Sequence, residues 1–237
     1  MTTNSLSLVF PAYNEGLNLR TLVESAFSNA RKLTEDFEVI VVDDGSTDDT
    51  ERILNLLKKE YGSNLTSIHL KPNKGYAAAL RTGFKNSKKD LIFYSDSDNQ
   101  FDFSEIPLLL EHINGNDMVI GYRRDRKDNF LRLFLSKGYN IMIRVLFGLK
   151  VKDIDCAFKL FRRDIFDKID IVLERVMVDT EILLKAKSLG MRMKEVGVTH
   201  LPRLKGSSTV KAQDIVFTLK NLFKLKGELK KLKRDSR

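Results

Sequence analysis

The chain of 237 residues carries 41 Lys/Arg against 32 Asp/Glu, a net charge of +9, with 42% hydrophobic residues and one cysteine. That length suits one α/β domain or two small ones with a proper apolar core, and the lone Cys156 excludes an internal disulfide and fits a reducing compartment. No apolar run approaches the roughly 18–20 residues of a membrane-spanning helix, and the N-terminal Met-Thr-Thr-Asn-Ser lacks the features of a signal peptide.

In chain order, residues 6–10 predict a first strand stopped by Pro11, and a polar turn over 11–16 leads into a helical pattern over 17–33 with Leu19, Leu22, Val23, Ala26, Phe27 and Ala30 at helical spacing. Residues 37–42 are β-branched and nearly all apolar, as in a strand buried on both faces. Asp43-Asp44-Gly45-Ser46-Thr47-Asp48 follows, with Ser46 or Thr47 as cap of a helix over 48–61. A third strand over 66–70, a turn at Asn73-Lys74-Gly75, a helix over 76–87 and a fourth strand over 91–95 complete the first half. Strand and helix alternate at about thirty-residue spacing, the pattern of a parallel, doubly wound sheet.

The fourth strand runs into Asp96-Ser97-Asp98-Asn99-Gln100, two carboxylates one residue apart with no neighbouring Lys or Arg. Such a pair costs free energy unless a cation lies between them, and oxygen ligands suit Mg²⁺ or Mn²⁺ bridging protein to a diphosphate. Ligands of doubly wound sheets bind beyond the C-terminal strand ends. Three strand ends here carry Tyr13/Asn14/Glu15, Asp43/Asp44 and Asp96/Asp98, so three polar clusters converge on one crevice. No Gly-x-Gly-x-x-Gly or Walker-type loop is present to hold phosphates, which leaves that task to a metal at Asp96 and Asp98.

In the second half the alternation breaks down. Residues 117–122 predict a strand, 130–149 an amphipathic helical region with Arg132, Lys137 and Arg144, 157–161 a short strand, 178–189 a helix and 193–198 a strand. Asp179 and Glu181 either line an acceptor pocket or start their helix, the second being favoured because acids suit a first turn, and Cys156 reads as a small buried side chain. The end is a basic amphipathic helix, with seven Lys/Arg against two acids over 224–237. Its apolar stripe suits a membrane surface, its own domain or a second subunit.

Pro11-Ala12-Tyr13-Asn14-Glu15, Val41-Val42-Asp43-Asp44-Gly45-Ser46, Asn73-Lys74-Gly75 and Asp96-Ser97-Asp98-Asn99-Gln100 together resemble the family 2 glycosyltransferases. Gly121-Tyr122-Arg123, Arg132 with Ser136, the stretch 153–163 and Arg203 to Ser208 are similar to the dolichyl/polyprenyl-phosphate hexose (mannose) synthase branch. The resemblance implies a GT-A fold: a Rossmann-like, mostly parallel sheet flanked by helices, over residues 1–210, with a nucleotide-binding half (1–102) and an acceptor-binding half (103–210), and the basic amphipathic helix or tail read above follows over 211–237. It implies that Pro11, Ala12, Tyr13, Glu15, Asp43, Asp44, Lys74, Gly75 and Ser97 bind the nucleotide sugar. Asp96, Asp98 and Gln100 would hold Mg²⁺ or Mn²⁺, with His200 a candidate further ligand. Arg123, Arg132, Ser136, Arg203 and Ser207 would hold an acceptor phosphate.

An inverting hexose transfer from GDP-mannose or UDP-glucose to a polyprenyl or dolichyl phosphate follows from that resemblance. A phosphate nucleophile is already ionised and needs positioning cations, whereas a glycan hydroxyl needs a base. Asp153 or Asp155 is the candidate for that base. Ser97 stands where the family usually has Ala, and Cys156-Ala157-Phe158-Lys159 where the phosphate-mannose enzymes often have Ser-Gly-Phe-Arg. The expected partners are the nucleotide sugar, the lipid phosphate and the cytoplasmic face of a membrane, with an integral-membrane partner or a homo-oligomer left open. The different-class alternatives are a non-catalytic nucleotide-sugar binder and a nucleic-acid binder; nucleic acid is not expected, since acidic clusters would repel it and no basic reading motif is present.

Overall fold

The computed structural model describes residues 5–124, 130–174, 177–202 and 213–235, without side chains at 130–132, 134, 213–220, 233 and 235. Seven strands form one sheet in the order β3-β2-β1-β4-β6-β5-β7. Their ranges are β1 Leu6–Ala12, β2 Phe37–Asp43, β3 Leu65–His69, β4 Leu91–Ser95, β5 Met118–Arg124, β6 Phe158–Arg162 and β7 Met193–Thr199. Every residue of β1, β2 and β4 is buried, as their unbroken apolar runs require of central strands. The edges, β3 and β7, are partly exposed.

The helices are α1 Gly16–Leu33, α2 Thr50–Tyr61, α3 Tyr76–Asn86, α4 Ile106–Ile113, α5 Phe130–Phe147, α6 Ile165–Lys168, α7 Val178–Ser188 and α8 Gln213–Asp235. Strand β1 pairs parallel with β2 and β4, and β2 with β3. Strand β6 is the exception, antiparallel to both β4 and β5. Because Ser95 at the end of β4 faces Phe158 at the start of β6, the chain just before β6 lies on the same rim as Asp96. Phe93 packs edge-on to Phe158 at 4.8 Å, and Tyr94 stacks on Phe161 at 6.0 Å. Such pairs add about 0.5–1.5 kcal/mol each beyond burial and give that rim a rigid base.

Two local expectations change. Pro11 does not stop β1: β4 pairs with β1 only as far as Val9, and the Pro11 carbonyl, on that side, takes the Ser97 hydroxyl at 2.7 Å. A missing N–H beyond the pairing register costs nothing. Nor do Ser46 and Thr47 cap α2. Both bond to Asn14, and the Asp48 carboxylate accepts from the amides of Thr50 and Gly16. A carboxylate accepts two amides where a hydroxyl in the same loop is already spent on a neighbour.

The terminal helix α8 lies on its own domain, against α7, with Leu222 and Leu225 buried and Phe223 81% exposed. No helix among the described residues is long and apolar enough to cross a membrane.

Gly45 has φ +69°, and a Cβ there would stand 2.8 Å from the Asn73 nitrogen and 2.9 Å from the Leu70 carbonyl. Gly45→Ala is therefore expected to cost at least about 1–2 kcal/mol and lower the melting midpoint by roughly 2–8 °C. An unchanged midpoint in a thermal melt would show that the loop relaxes freely.

Candidate functional site

The loops at the C-terminal ends of β1, β2 and β4 are tied together by their own polar groups. Asn14 takes a left-handed conformation (φ 56°), which asparagine tolerates, and its side chain accepts from the Thr47 amide at 2.8 Å. The Glu15 amide donates to Thr50 Oγ1, and the Glu15 carboxylate accepts from the Asn18 side chain. Tyr13 is 42% exposed, an aromatic face left open at the mouth of the crevice beside fully buried Ala12.

Asp43 is fully buried, accepting from the Ser46 amide and sitting 3.0 Å from His69 Nδ1. It organises the loop, while its neighbour addresses the crevice wall. Asp44 accepts from the Lys74 amide at 2.8 Å and the Gly75 amide at 2.7 Å, and its carbonyl takes the Asn73 side chain. Burial raises the Asp44 carboxyl against the pull of those two amides. Two amides fill half of a carboxylate's acceptor capacity.

Asp96 and Asp98 are half-buried at the end of β4. Tyr76 donates to Asp96 at 2.9 Å, and the Gln100 amide to Asp98 at 3.1 Å. Burial, then the adjacent Asp98 charge, pushes Asp96 up to about 7. An acid raised by burial and by a neighbouring carboxylate is what a divalent cation relieves, so the residues present fit Mg²⁺ or Mn²⁺. The Gln100 side chain donates to the Leu201 carbonyl at 3.1 Å. His200 is buried, bridged to Phe101 through the backbone and edge-on to its ring at 5.5 Å. These contacts hold the segment after β7 beneath the Asp96–Gln100 loop. A second group, Asp43, Glu51 and His69, has ligand atoms within 4.8 Å of one another. There Glu51 already pairs with Lys71 at 2.7 Å.

On the other side of the rim, Arg123 forks onto Asp153 at 2.7 and 2.8 Å, with both side chains under 9% exposed. Burial alone would lower the Arg123 guanidinium, but Asp153 outweighs it and holds the charge. Asp153 is thus matched by a cation and Arg123 by an anion. Asp155 is half-buried and makes no hydrogen bond among the described residues. Burial, then the charges of Asp179 and Asp153, pushes it up to about 6. Burial also pushes the Cys156 thiol up, so it is no thiolate. Ser136 is half-buried on α5, its carbonyl taking the Asn140 side chain. Arg203 and Ser207, and the side chain of Arg132, lie outside the described residues.

Asp179 and Glu181 do more than begin a helix. Asp179 bonds Lys159 at 2.6 Å and takes the Tyr94 hydroxyl. Glu181 accepts from the amides of Val172 and Leu173 and pairs with Lys185 at 2.7 Å. Their burial, at 6% and 0% exposure, sends both carboxylates inward to partners rather than out to solvent at the helix start. Sequence reasoning passed over Tyr76 and Lys159 as site residues. For Lys159 a signal existed: a lysine inside the apolar run 157–161 of a central strand must find buried acceptors. Tyr76 carries no such signal.

The family model for glycosyl transferase family 2 matches residues 7–170. The undecaprenyl-phosphate 4-deoxy-4-formamido-L-arabinose transferase of Aeromonas hydrophila subsp. hydrophila is 34% identical over 204 residues, 86% of this chain and 62% of its own length. That of Pseudomonas fluorescens is 31% identical over 212 residues, 89% of this chain and 61% of its own. The chain thus spans less than two thirds of these curated relatives. Among solved structures, glucosyl-3-phosphoglycerate synthase from Mycobacterium tuberculosis, with Mn²⁺, UDP and phosphoglyceric acid, is similar in fold: TM-score 0.68, 18% identity, 86% of this chain and 72% of that one. The family match, the two relatives above 30% identity and the mixed, mostly parallel sheet agree: the chain belongs to glycosyl transferase family 2 and has its GT-A fold.

Proposed function

We propose that the chain transfers a sugar from a uridine-diphosphate donor to a polyprenyl phosphate, with residues 1–102 binding the nucleotide and 103–210 the acceptor. The observation that carries this reading is the contrast between two sets of acids on one rim. Asp96 is pushed up by burial and by the adjacent Asp98, whereas Asp153 and Asp179 are each held by a buried arginine or lysine. The first set is suited to a metal-bound diphosphate, and the second is unsuited to proton abstraction. Uridine over guanosine is supported by the UDP of the M. tuberculosis fold neighbour, and a polyprenyl phosphate by the names of the relatives.

In this mechanism Asp44 accepts the imide hydrogen of the base, and Tyr13 and Ala12 flank it at the mouth of the crevice. Asp96, Asp98 and Gln100 would hold Mg²⁺ or Mn²⁺, which would offset charge developing on the leaving diphosphate. Tyr76 orients the Asp96 carboxylate by its hydrogen bond. Arginines of the acceptor half hold the lipid phosphate, which attacks without a base because it is ionised. Helix α5 carries Leu135, Ile141, Val145 and Leu146 exposed, with Lys137 and Arg144 on the same helix. An apolar face beside cations suits the surface of an anionic membrane, where the acceptor resides.

One observation favours a second reading. Asp155, without a hydrogen bond among the described residues and raised to about 6, is tuned as a general base would be for a hydroxyl acceptor. The experiment offers UDP-sugar with Mn²⁺ and either undecaprenyl phosphate or hydroxyl acceptors, and measures UDP release. Release that requires the lipid phosphate and loses less than about a hundredfold in Asp155→Asn supports the first reading. Release that requires a hydroxyl acceptor and collapses in Asp155→Asn replaces it with the second.

A further inference from the structure

Lys159 sits in the middle of β6 with 1% exposure. Its ammonium donates to the carbonyls of Ile154 at 3.0 Å and Cys156 at 2.6 Å, to Asp179 at 2.6 Å and to the Tyr94 hydroxyl at 3.2 Å. The two carbonyls are those before and after Asp155. The same loop is held at Ile154, whose amide donates to Asn140 Oδ1 at 3.0 Å, and at Asp153, forked by Arg123. Every neighbour of Asp155 is therefore pinned, while its own carboxylate makes no hydrogen bond among the described residues.

Stability gives little reason for this arrangement. Replacing a buried ion pair by apolar residues of similar volume is often neutral or stabilising, and a lysine in a central strand loses its hydration entirely. The pairing of Ser95 with Phe158 puts the pinned loop on the rim that carries Asp96 and Asp98. Asp179, the anchor of Lys159, is near enough for its charge to act on both Asp96 and Asp155.

Resting on the proposed transferase reading, we infer that Lys159 is a positioning residue: by gripping the carbonyls of the residues on both sides of Asp155 it presents that carboxylate to the hydroxyl groups of the transferred sugar. A carboxylate with open acceptor sites and a fixed backbone suits sugar hydroxyls. Beside an ionised lipid phosphate it would be repelled, so it faces the sugar and not the acceptor. This makes Lys159 and Asp155 a unit in choosing and orienting the donor, separate from the cation site.

The test is a mutant cycle on kcat/KM for the UDP-sugar the parent turns over, with melting midpoint and amide hydrogen exchange of residues 152–157 read on every variant. The variants are Asp155→Asn, the neutralised pair Lys159→Met/Asp179→Asn, and the triple change. Expected are losses of about tenfold or more in Asp155→Asn and in the pair variant, and a triple variant within about twofold of the worse of them. Exchange over 152–157 should quicken in the pair variant at a midpoint near the parent's. Losses that multiply in the triple variant, losses that track the midpoint, or unchanged exchange would overturn the inference. If the pair variant does not fold, Lys159→Gln replaces it, keeping one donor, and is judged by the same criteria. A parent without turnover on any UDP-sugar would refute the transferase reading instead, and the exchange of 152–157 would still decide whether Lys159 pins the loop.

Discussion

Asp98→Asn is expected to reduce sugar transfer by roughly 10²–10³-fold or more while leaving the fold intact and raising its stability in the absence of metal. The two halves have one cause. Asp98 is, after burial, the largest influence raising Asp96, to about 7. A carboxyl whose folded pKa exceeds its ordinary 3.8 binds more protons folded than unfolded between those values. Its contribution to stability therefore falls as pH rises from about 4 to about 7, and the cost is fully present above 7. Removing the Asp98 charge lowers that cost. The difference in melting midpoint between Asp98→Asn and the parent, both free of metal, should be largest near pH 7.5 and shrink toward pH 4.5. Mn²⁺ should raise the parent's midpoint near pH 7.5 and lose that effect in Asp98→Asn. A variant that retains turnover, or a midpoint difference that does not change with pH, would remove Asp98 from the diphosphate site.

Arg123→Met is expected to destabilise by about 3–5 kcal/mol, because it leaves Asp153 buried without its cation. For a chain of this size that is a fall of roughly 6–20 °C in the melting midpoint. The double change Arg123→Met/Asp153→Leu should recover most of the loss, since an apolar pair replaces a charged one at similar burial. It also separates two roles. If the double variant is stable and turns over like the parent, Arg123 serves the rim's architecture and the acceptor phosphate is held by other cations. If it is stable but loses acceptor affinity, Arg123 reaches the phosphate as well, as its sequence context implies. A single variant that melts with the parent would mean that the pair is solvated and of little energetic weight.

The N-terminal half was legible in the sequence because its strands are local events. Strand β4 lies between Asp90 and Asp96, and its apolar run matches the strand residue for residue. Clusters at strand ends converge once the sheet is parallel, and the Asn14–Ser46–Thr47 and Asp44–Lys74–Gly75 bonds are the consequence. The C-terminal half was less legible because its meaning lies in long-range pairs. A five-residue strand such as β6 does not declare that it runs antiparallel between β4 and β5. Asp153 reads as a candidate base until Arg123, 30 residues away, is seen to fork onto it. Asp179 reads as a helix-start acid until Lys159 and Tyr94 are found beneath it. Periodicity reports which face is buried, and says nothing about which buried charge meets which.

The central claim, that Asp96 and Asp98 form a cation-dependent diphosphate site, is tested most directly by calorimetric titration of UDP into the parent chain with Mn²⁺ and again with a chelator. Binding is expected to require the cation and to lose at least about tenfold in affinity without it. Equal affinity with and without Mn²⁺, or no binding under either condition, would contradict it.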